Sequence, residues 1–195
     1  MPVRIDHVIY AAADLDAATA RFEAALGVSA AGGGRHERLG THNRIVPLGG
    51  GYLEVLGVAD PDEAAAAPFG RGLMARLQDG EGWLAWAVAV PDVDAVARRL
   101  GTTVTVVRRE GLSARVTGVE QAMREPLLPF FISRDPGVAD PGAGGGGGGI
   151  VSLELAGDAA RLERWLDSPA PSPVRVVAGP AALRAVGVGD RSFRD

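Results

Sequence analysis

Apolar and polar positions along this chain recur in register. Residues 5–27, IDHVIYAAADLDAATARFEAALG, run as an apolar strand-like stretch, then an Asp, then an amphipathic helical pattern. Residues 84–101, LAWAVAVPDVDAVARRLG, repeat that order, and VSLELAGDAARLERWLD (151–167) is a weaker third copy. Asp14, Asp92 and Asp158 stand at the same point of each copy, where a side-chain oxygen can cap the helix that follows. Gly27 has the place of a left-handed terminator for the first helix. A repeat of this size sets the architecture before any single residue is weighed.

The first copy continues past a Gly-rich stretch, AAGGGRHERLG (30–40), into THNRIVPLG (41–49) and GYLEVLGV (51–58). These two read as strands around a tight Gly-Gly turn, which is a hairpin signal. The expected organisation is a β-α-β-β-β module over 1–60 and a connector over 61–82 with a short helix at 71–78. A second module follows over 83–136, with strands at 103–110, 113–119 and 127–134. GVADPGAGGGGGG (137–149) reads as flexible coil. A C-terminal partial module over 150–195 supplies a strand (150–156), a helix (158–167) and two further strands (173–179 and 183–190). The fold class is therefore α+β: tandem β-α-β-β-β modules forming a curved mixed sheet around a cleft, with an extra C-terminal β-α-β-β piece, all in one domain.

Composition narrows the chemistry. All 20 basic residues are Arg, which excludes a lysine Schiff base. Cys is absent, so no disulfide framework, thiolate catalysis or Cys-ligated metal is available. The net charge of −4 and the lack of a basic stripe argue against a nucleic-acid partner. No leader pattern and no apolar run near the ~20 residues of a membrane helix are seen, so the expectation is a cytoplasmic protein with no membrane partner. The glycine tract lacks the GxxxxGK[ST] pattern and precedes its strand, the wrong form for phosphate binding. No GxSxG is present and Ser113 has no nearby His, so no nucleophile constellation stands out.

The duplicated β-α-β-β-β unit, the opening IDHVIYAAADLDAA and the GYLEVL strand together resemble the vicinal oxygen chelate superfamily of glyoxalase I, extradiol dioxygenases and bleomycin-binding proteins. More narrowly, GGRHERLGTHNRIVPLGGGYLEVLGV (33–58) is similar to the glyoxalase-like domain family. The likeness runs most fully over 3–58, less fully over 83–134 and loosely beyond 150. It implies a cleft whose metal ligands come from the first and last strands of each module. On this chain it gives His7 and Glu54 as ligands of one divalent metal (Zn, Ni, Fe or Mn), suited by imidazole and carboxylate. The second module departs from the pattern. Ala85 stands at the His7 position, and LLPFFISR has no carboxylate or imidazole, with Asp135 just beyond it. A homodimer could supply the missing ligands in trans.

Several residues then become candidates. Glu54, in the middle of an apolar strand, is costly to bury without a partner and is the candidate general base. His7 is its ligand or hydrogen-bond companion, or else a buried histidine held within the sheet. By strand alternation His7 should share a face with Ile5 and Ile9, and Glu54 with Tyr52 and Leu56. Arg35 and His36 on the glycine-rich loop are candidates for an anionic ligand, against a solvated loop in an Arg-rich chain. Thr41 and Asn43 are expected to point inward, and Tyr52 with them. Trp83 has the parity of Ala85 and could stack a flat ligand, against an ordinary core aromatic. Arg108 and Arg109 read as solvated strand-end charges. The leading function is a glyoxalase-like protein binding a small carbonyl-bearing or anionic metabolite, with lyase, isomerase or oxygenase chemistry. The alternative is a non-catalytic binder of the bleomycin-resistance type.

Overall fold

The computed structural model describes residues 4–109, 112–135 and 137–195. Glu110, at the end of an expected strand, and Pro136, at the expected module boundary, lie outside them. The first module contains β1 (Arg4–Ala11), α1 (Leu15–Leu26), β2 (Gly33–Arg35), β3 (Thr41–Pro47) and β4 (Tyr52–Val58). Two connector helices follow, α2 (Pro61–Ala66) and α3 (Pro68–Gln78). The second module contains β5 (Gly82–Ala89), α4 (Val93–Leu100), β6 (Val104–Arg109), β7 (Leu112–Thr117), α5 (Val119–Arg124) and β8 (Phe130–Arg134). The chain closes with β9 (Ile150–Ala156), α6 (Ala159–Leu166), β10 (Val174–Val177), β11 (Ala182–Val188) and β12 (Arg191–Arg194).

The expected caps are in place. Asp14 accepts from Ala17 N at 2.9 Å, Asp92 from Ala95 N at 3.0 Å and Asp158 from Ala160 N at 2.9 Å. Asp14 and Asp92 each stand three residues past the end of their strand and Asp158 two, so the first two modules are in phase and the third is one residue shorter.

Eight strands form one curved sheet in the order β2-β3-β4-β1-β5-β8-β7-β6. The two first strands, β1 and β5, are antiparallel neighbours at its centre, and each is parallel to the last strand of its own module. The outer edges of the modules approach each other. Glu37 N–H donates to Arg108 O at 2.9 Å, and the Arg109 guanidinium donates to Gly33 O at 3.1 Å. The sheet thus curls until its first and last strands almost meet.

Its concave face buries Ile9, Ala11, Leu56, Ala85, Ala87, Phe130 and Ile132, with Leu73 of α3 beside them. The convex face packs Val8, Val55, Trp86 and Phe131 against α1 and a separate four-stranded sheet ordered β10-β9-β11-β12. That second sheet holds one strand more than the sequence pattern gives. It covers the convex face with Leu153, Leu155, Leu183 and Val186 rather than extending the main sheet. The glycine tract before it runs close to the β3–β4 turn, where Gly49 N bonds Gly142 O and Gly149 N bonds Leu48 O. A Cβ on Gly145 would collide with the Pro47 carbonyl oxygen, so packing requires glycine there.

Candidate functional site

The concave face holds a narrow cleft. Its empty space, mouth included, is about 570 Å³. His7, Asn43, Tyr52 and Glu54 line its first-module side, joined by His36 from the 33–40 loop. The second module contributes Val107, Ala114, Val116, Phe130 and Ile132, an apolar wall, together with Arg109 and Arg134. Phe69 of α3 completes the lining.

A register shift in β1 between Ile5 and His7 sets the floor. Alternation alone would put Ile5 and His7 on one face, but Ile5 packs on the convex side while His7 lines the cleft. The irregularity brings Asp6 to His7, with Oδ1 2.6 Å from His7 Nδ1. Behind it, Arg134 donates through NH1 to Asp6 Oδ2 and through NH2 to Asp6 Oδ1, both at 2.6 Å, and NH2 also reaches the Tyr52 hydroxyl at 3.1 Å. Burial works against the Asp6 charge, yet the bonds and charges of Arg134 and His7 outweigh it and hold the carboxyl well below the usual carboxylate range. Burial opposes the Arg134 charge too, and Asp6 raises that guanidinium above its ordinary value. Burial pushes the Tyr52 phenol well up, so it stays protonated. Its oxygen accepts from Arg134, which leaves its own proton free to donate.

An ionised Asp6 fixes the His7 proton on Nδ1. Across the ring, His7 Nε2 faces Glu54 Oε2 at 3.5 Å. A proton on that line, carried by either group, turns the contact into an attractive one. His7 also stacks on Tyr52 with ring centroids 4.5 Å apart. The other Glu54 oxygen accepts from Asn43 Nδ2 at 2.6 Å. His36 Nε2 accepts from the same amide at 3.2 Å, while its Nδ1 bonds Thr41 Oγ1 at 2.9 Å. Turning the Asn43 amide over would set oxygen against Glu54, so this orientation is the chemically consistent one. It leaves Asn43 Oδ1 buried with no hydrogen-bond partner among the described residues.

Burial lowers the His36 pKa below 6.5; Glu54 pulls it back, and Arg109, His42 and His7 push it down. A depressed histidine contributes stability that is complete above 6.5 and lost as pH falls through its folded value. Melting temperature is therefore expected to fall on acidification below 6.5, and His36→Gln to flatten that slope, read by thermal unfolding across pH. The variant retains His42, whose pKa is also lowered by burial, so the difference reports His36.

Of the candidates from sequence, His7, His36, Asn43, Tyr52 and Glu54 converge, and Thr41 supports them from behind His36. Two do not. Arg35 is half exposed and pairs with Asp60 and Glu63 of the α2 region, away from the cleft. Trp83 packs on the convex face against Tyr10 and Phe22, its indole N–H donating to Phe193 O at 3.3 Å. A register shift between Ile9 and Tyr10 skips Leu84, so Trp83 and Ala85 do not share a face. Arg109, read as a solvated charge, lines the cleft instead. Asp6 and Arg134 belong to no sequence motif; the one hint in sequence is an acid and an arginine set in strands of otherwise apolar character.

At the positions that match His7 and Glu54 the second module has no donor, by register as well as by residue type. Glu54 pairs with Ile9 across β1–β4, and the corresponding pair in β5–β8 is Ala87 with Phe130. Phe130 therefore stands where a second last-strand ligand would be. Among the described residues no three His, Cys, Asp or Glu side chains are grouped to hold an ion. Two guanidinium groups share the cleft. The side chains present do not fit a divalent metal centre. Chelation is accordingly expected to leave the melting temperature unchanged, and added divalent ions not to raise it.

A family model described as a glyoxalase-like domain matches residues 5–169. The chain belongs to that family. It is a small-molecule-binding fold of the vicinal oxygen chelate superfamily. No curated protein is similar enough in sequence to match. Among solved structures, a hypothetical protein from Staphylococcus aureus superposes with a TM-score of 0.71 at 15% identity, covering 95% of this chain and 90% of that one. Streptomyces coelicolor methylmalonyl-CoA epimerase in complex with 2-nitronate-propionyl-CoA gives a TM-score of 0.55 at 25% identity, over 71% of this chain and 99% of that one. The Mycobacterium tuberculosis methylmalonyl-CoA epimerase gives 0.51 at 22% identity, over 68% and 87%. Among the described residues no helix is long and apolar enough to cross a membrane.

Proposed function

We propose that this glyoxalase-like protein binds a small carbonyl-bearing or anionic metabolite in the cleft and moves a proton at the carbon beside the carbonyl, an isomerase-type reaction. The observation that carries the reading is Glu54 Oε2 facing His7 Nε2 at 3.5 Å, with Asp6 locking the far side of the imidazole. Glu54 takes the proton from carbon; the C–H electron pair becomes the enolate double bond, and the carbonyl π pair moves to oxygen. The Tyr52 hydroxyl, which accepts from Arg134 and keeps its own proton to donate, bonds that oxygen in this reading. Asn43 holds the Glu54 carboxylate in orientation; return of the proton from Glu54 to the same face gives back the substrate with its α-hydrogen exchanged, and its delivery to the other face of the planar enolate gives the isomer. The likeness to a methylmalonyl-CoA epimerase in complex with 2-nitronate-propionyl-CoA supports this chemistry.

The apolar second-module wall and the aromatic rings of Tyr52, Phe69 and Phe130 favour a second reading, a binding protein without chemistry. Deuterium wash-in separates the two. The protein in deuterated buffer is expected to exchange the α-proton of at least one member of a panel of 2-methyl-3-oxo acids and 2-methyl acyl thioesters faster than buffer does, read by proton NMR. Stabilisation by panel members with exchange no faster than buffer would sink the proton-transfer reading and leave the binder.

A further inference from the structure

We infer that Arg109 selects the ligand of this cleft for a carboxylate, held beside an apolar body whose carbonyl end lies towards Glu54. The inference rests on the small-molecule reading above and names its substrate class. Two arginines line the cleft, and their circumstances differ. Arg134 is consumed: both its terminal nitrogens bond Asp6, one also bonds Tyr52, and it serves the floor rather than a ligand. Arg109 has no carboxylate partner among the described residues, and its one hydrogen bond there is from NH1 to the Gly33 carbonyl. That bond fixes one arm of a planar fork and leaves the rest of its donors for the cleft. A guanidinium so held needs little reordering to take a carboxylate in bidentate fashion. Its neighbours along the wall are Val107, Ala114 and Val116, which offer no competing acceptor from their side chains and suit an aliphatic segment.

The position of Arg109 also explains why an anion would be read there. It stands on β6, the last strand of the main sheet, and bonds Gly33 on β2, the first. The glycine is required at that point, because a Cβ on Gly33 would collide with the Asn43 carbonyl oxygen. Glu37 N–H closes the same seam on Arg108 O. The residue that would hold the anion therefore also ties together the two edges that border the cleft and the loop bearing His36. Anion binding and closure of that seam act through one side chain.

The test uses the full chain, with 2-oxobutyrate and levulinate as probes and their neutral amides as controls, followed by thermal shift. A hydrogen-bonded charge of this kind corresponds to roughly 10- to 100-fold in affinity. The acids are expected to half-saturate at roughly tenfold or more lower concentration than the amides, and added salt to weaken the acids alone. Arg109→Gln should erase the difference between acid and amide. Arg109→Lys, which retains the charge but not the fork, should keep part of it, and serves if the glutamine variant folds poorly. Glu54→Gln should bind the acids at least as well as the parent, since it removes a negative charge from the same cleft. Loss of α-proton exchange in Glu54→Gln without loss of acid binding separates the base from the anion site. Amides binding as tightly as acids, acid binding untouched in Arg109→Gln, or no response to either acid would each overturn the assignment.

Discussion

Replacement of Glu54 by Gln is expected to slow α-proton exchange about 10²- to 10⁴-fold, the usual contribution of a positioned general base. The substitution is nearly isosteric, so the Asn43 contact at 2.6 Å survives through the retained amide oxygen. What is lost is the group that takes the proton. Stability should change little, because the glutamine removes a buried carboxylate while its amide can still donate towards His7 Nε2. His7→Gln should also slow exchange, by a smaller factor, because the Nε2 contact at 3.5 Å orients the base without itself touching the carbon. The two effects are not expected to add. Both residues belong to one hydrogen-bonded unit, and a double variant should resemble Glu54→Gln alone. Rates of deuterium incorporation, normalised to protein that binds the probe acids, decide the matter. A Glu54→Gln variant with parental exchange would place the base elsewhere.

Much of this was legible along the chain, and the reasons for the rest are physical. The paired modules follow from a period that local chemistry enforces: three aspartates cap three helices at matched positions. Glu54 could be picked out because a carboxylate inside YLEVLGV has no local partner, and His7 because its module copy has Ala85. Strand parity failed where the strands are irregular. One shift beside His7 and another beside Tyr10 reverse the faces of Ile5 and Trp83, and neither is written in the residue pattern. The other omissions are long-range. Arg134 meets Asp6 across 128 residues of sequence, a contact that only the pairing of β1 with β5 and β5 with β8 produces. Arg109 reads as a surface charge because its strand is half exposed; the curl of the sheet, which brings β6 back towards β2, turns it into the cleft. The four-stranded C-terminal sheet escaped for a similar reason. The third copy has the strand-Asp-helix signature of a module, but its β9 pairs β10 on one side and β11 on the other, so the unit closes on itself.

Asp6→Ala is expected to be the most destabilising single change in the site, by about 3–5 kcal/mol, because it strands a charge rather than removing a pair. Asp6 is 1% exposed and the Arg134 side chain 12% exposed. Without the carboxylate, the guanidinium keeps only the Tyr52 hydroxyl, and its Nε already lacks a partner. For a chain of this length about 2–4 °C of melting temperature accompanies each kcal/mol, so the drop should be roughly 6–20 °C. The double variant Asp6→Leu with Arg134→Met should recover a good part of that, since it removes both charges and fills the space with apolar atoms. The acid limb carries the same signature. A carboxyl whose folded pKa is depressed contributes stability that is complete above its unfolded value, near 3.8, and lost as pH falls towards the folded one. The parent should therefore lose stability steeply below that pH and the Asp6→Ala variant much less so. Function should respond separately in the double variant. Refolded but lacking Asp6, it no longer fixes the His7 proton on Nδ1, so exchange at the substrate carbon should stay slow even where the melting temperature has returned. Recovery of both stability and exchange would mean that Asp6 serves the fold alone and that His7 is oriented by its stacking on Tyr52.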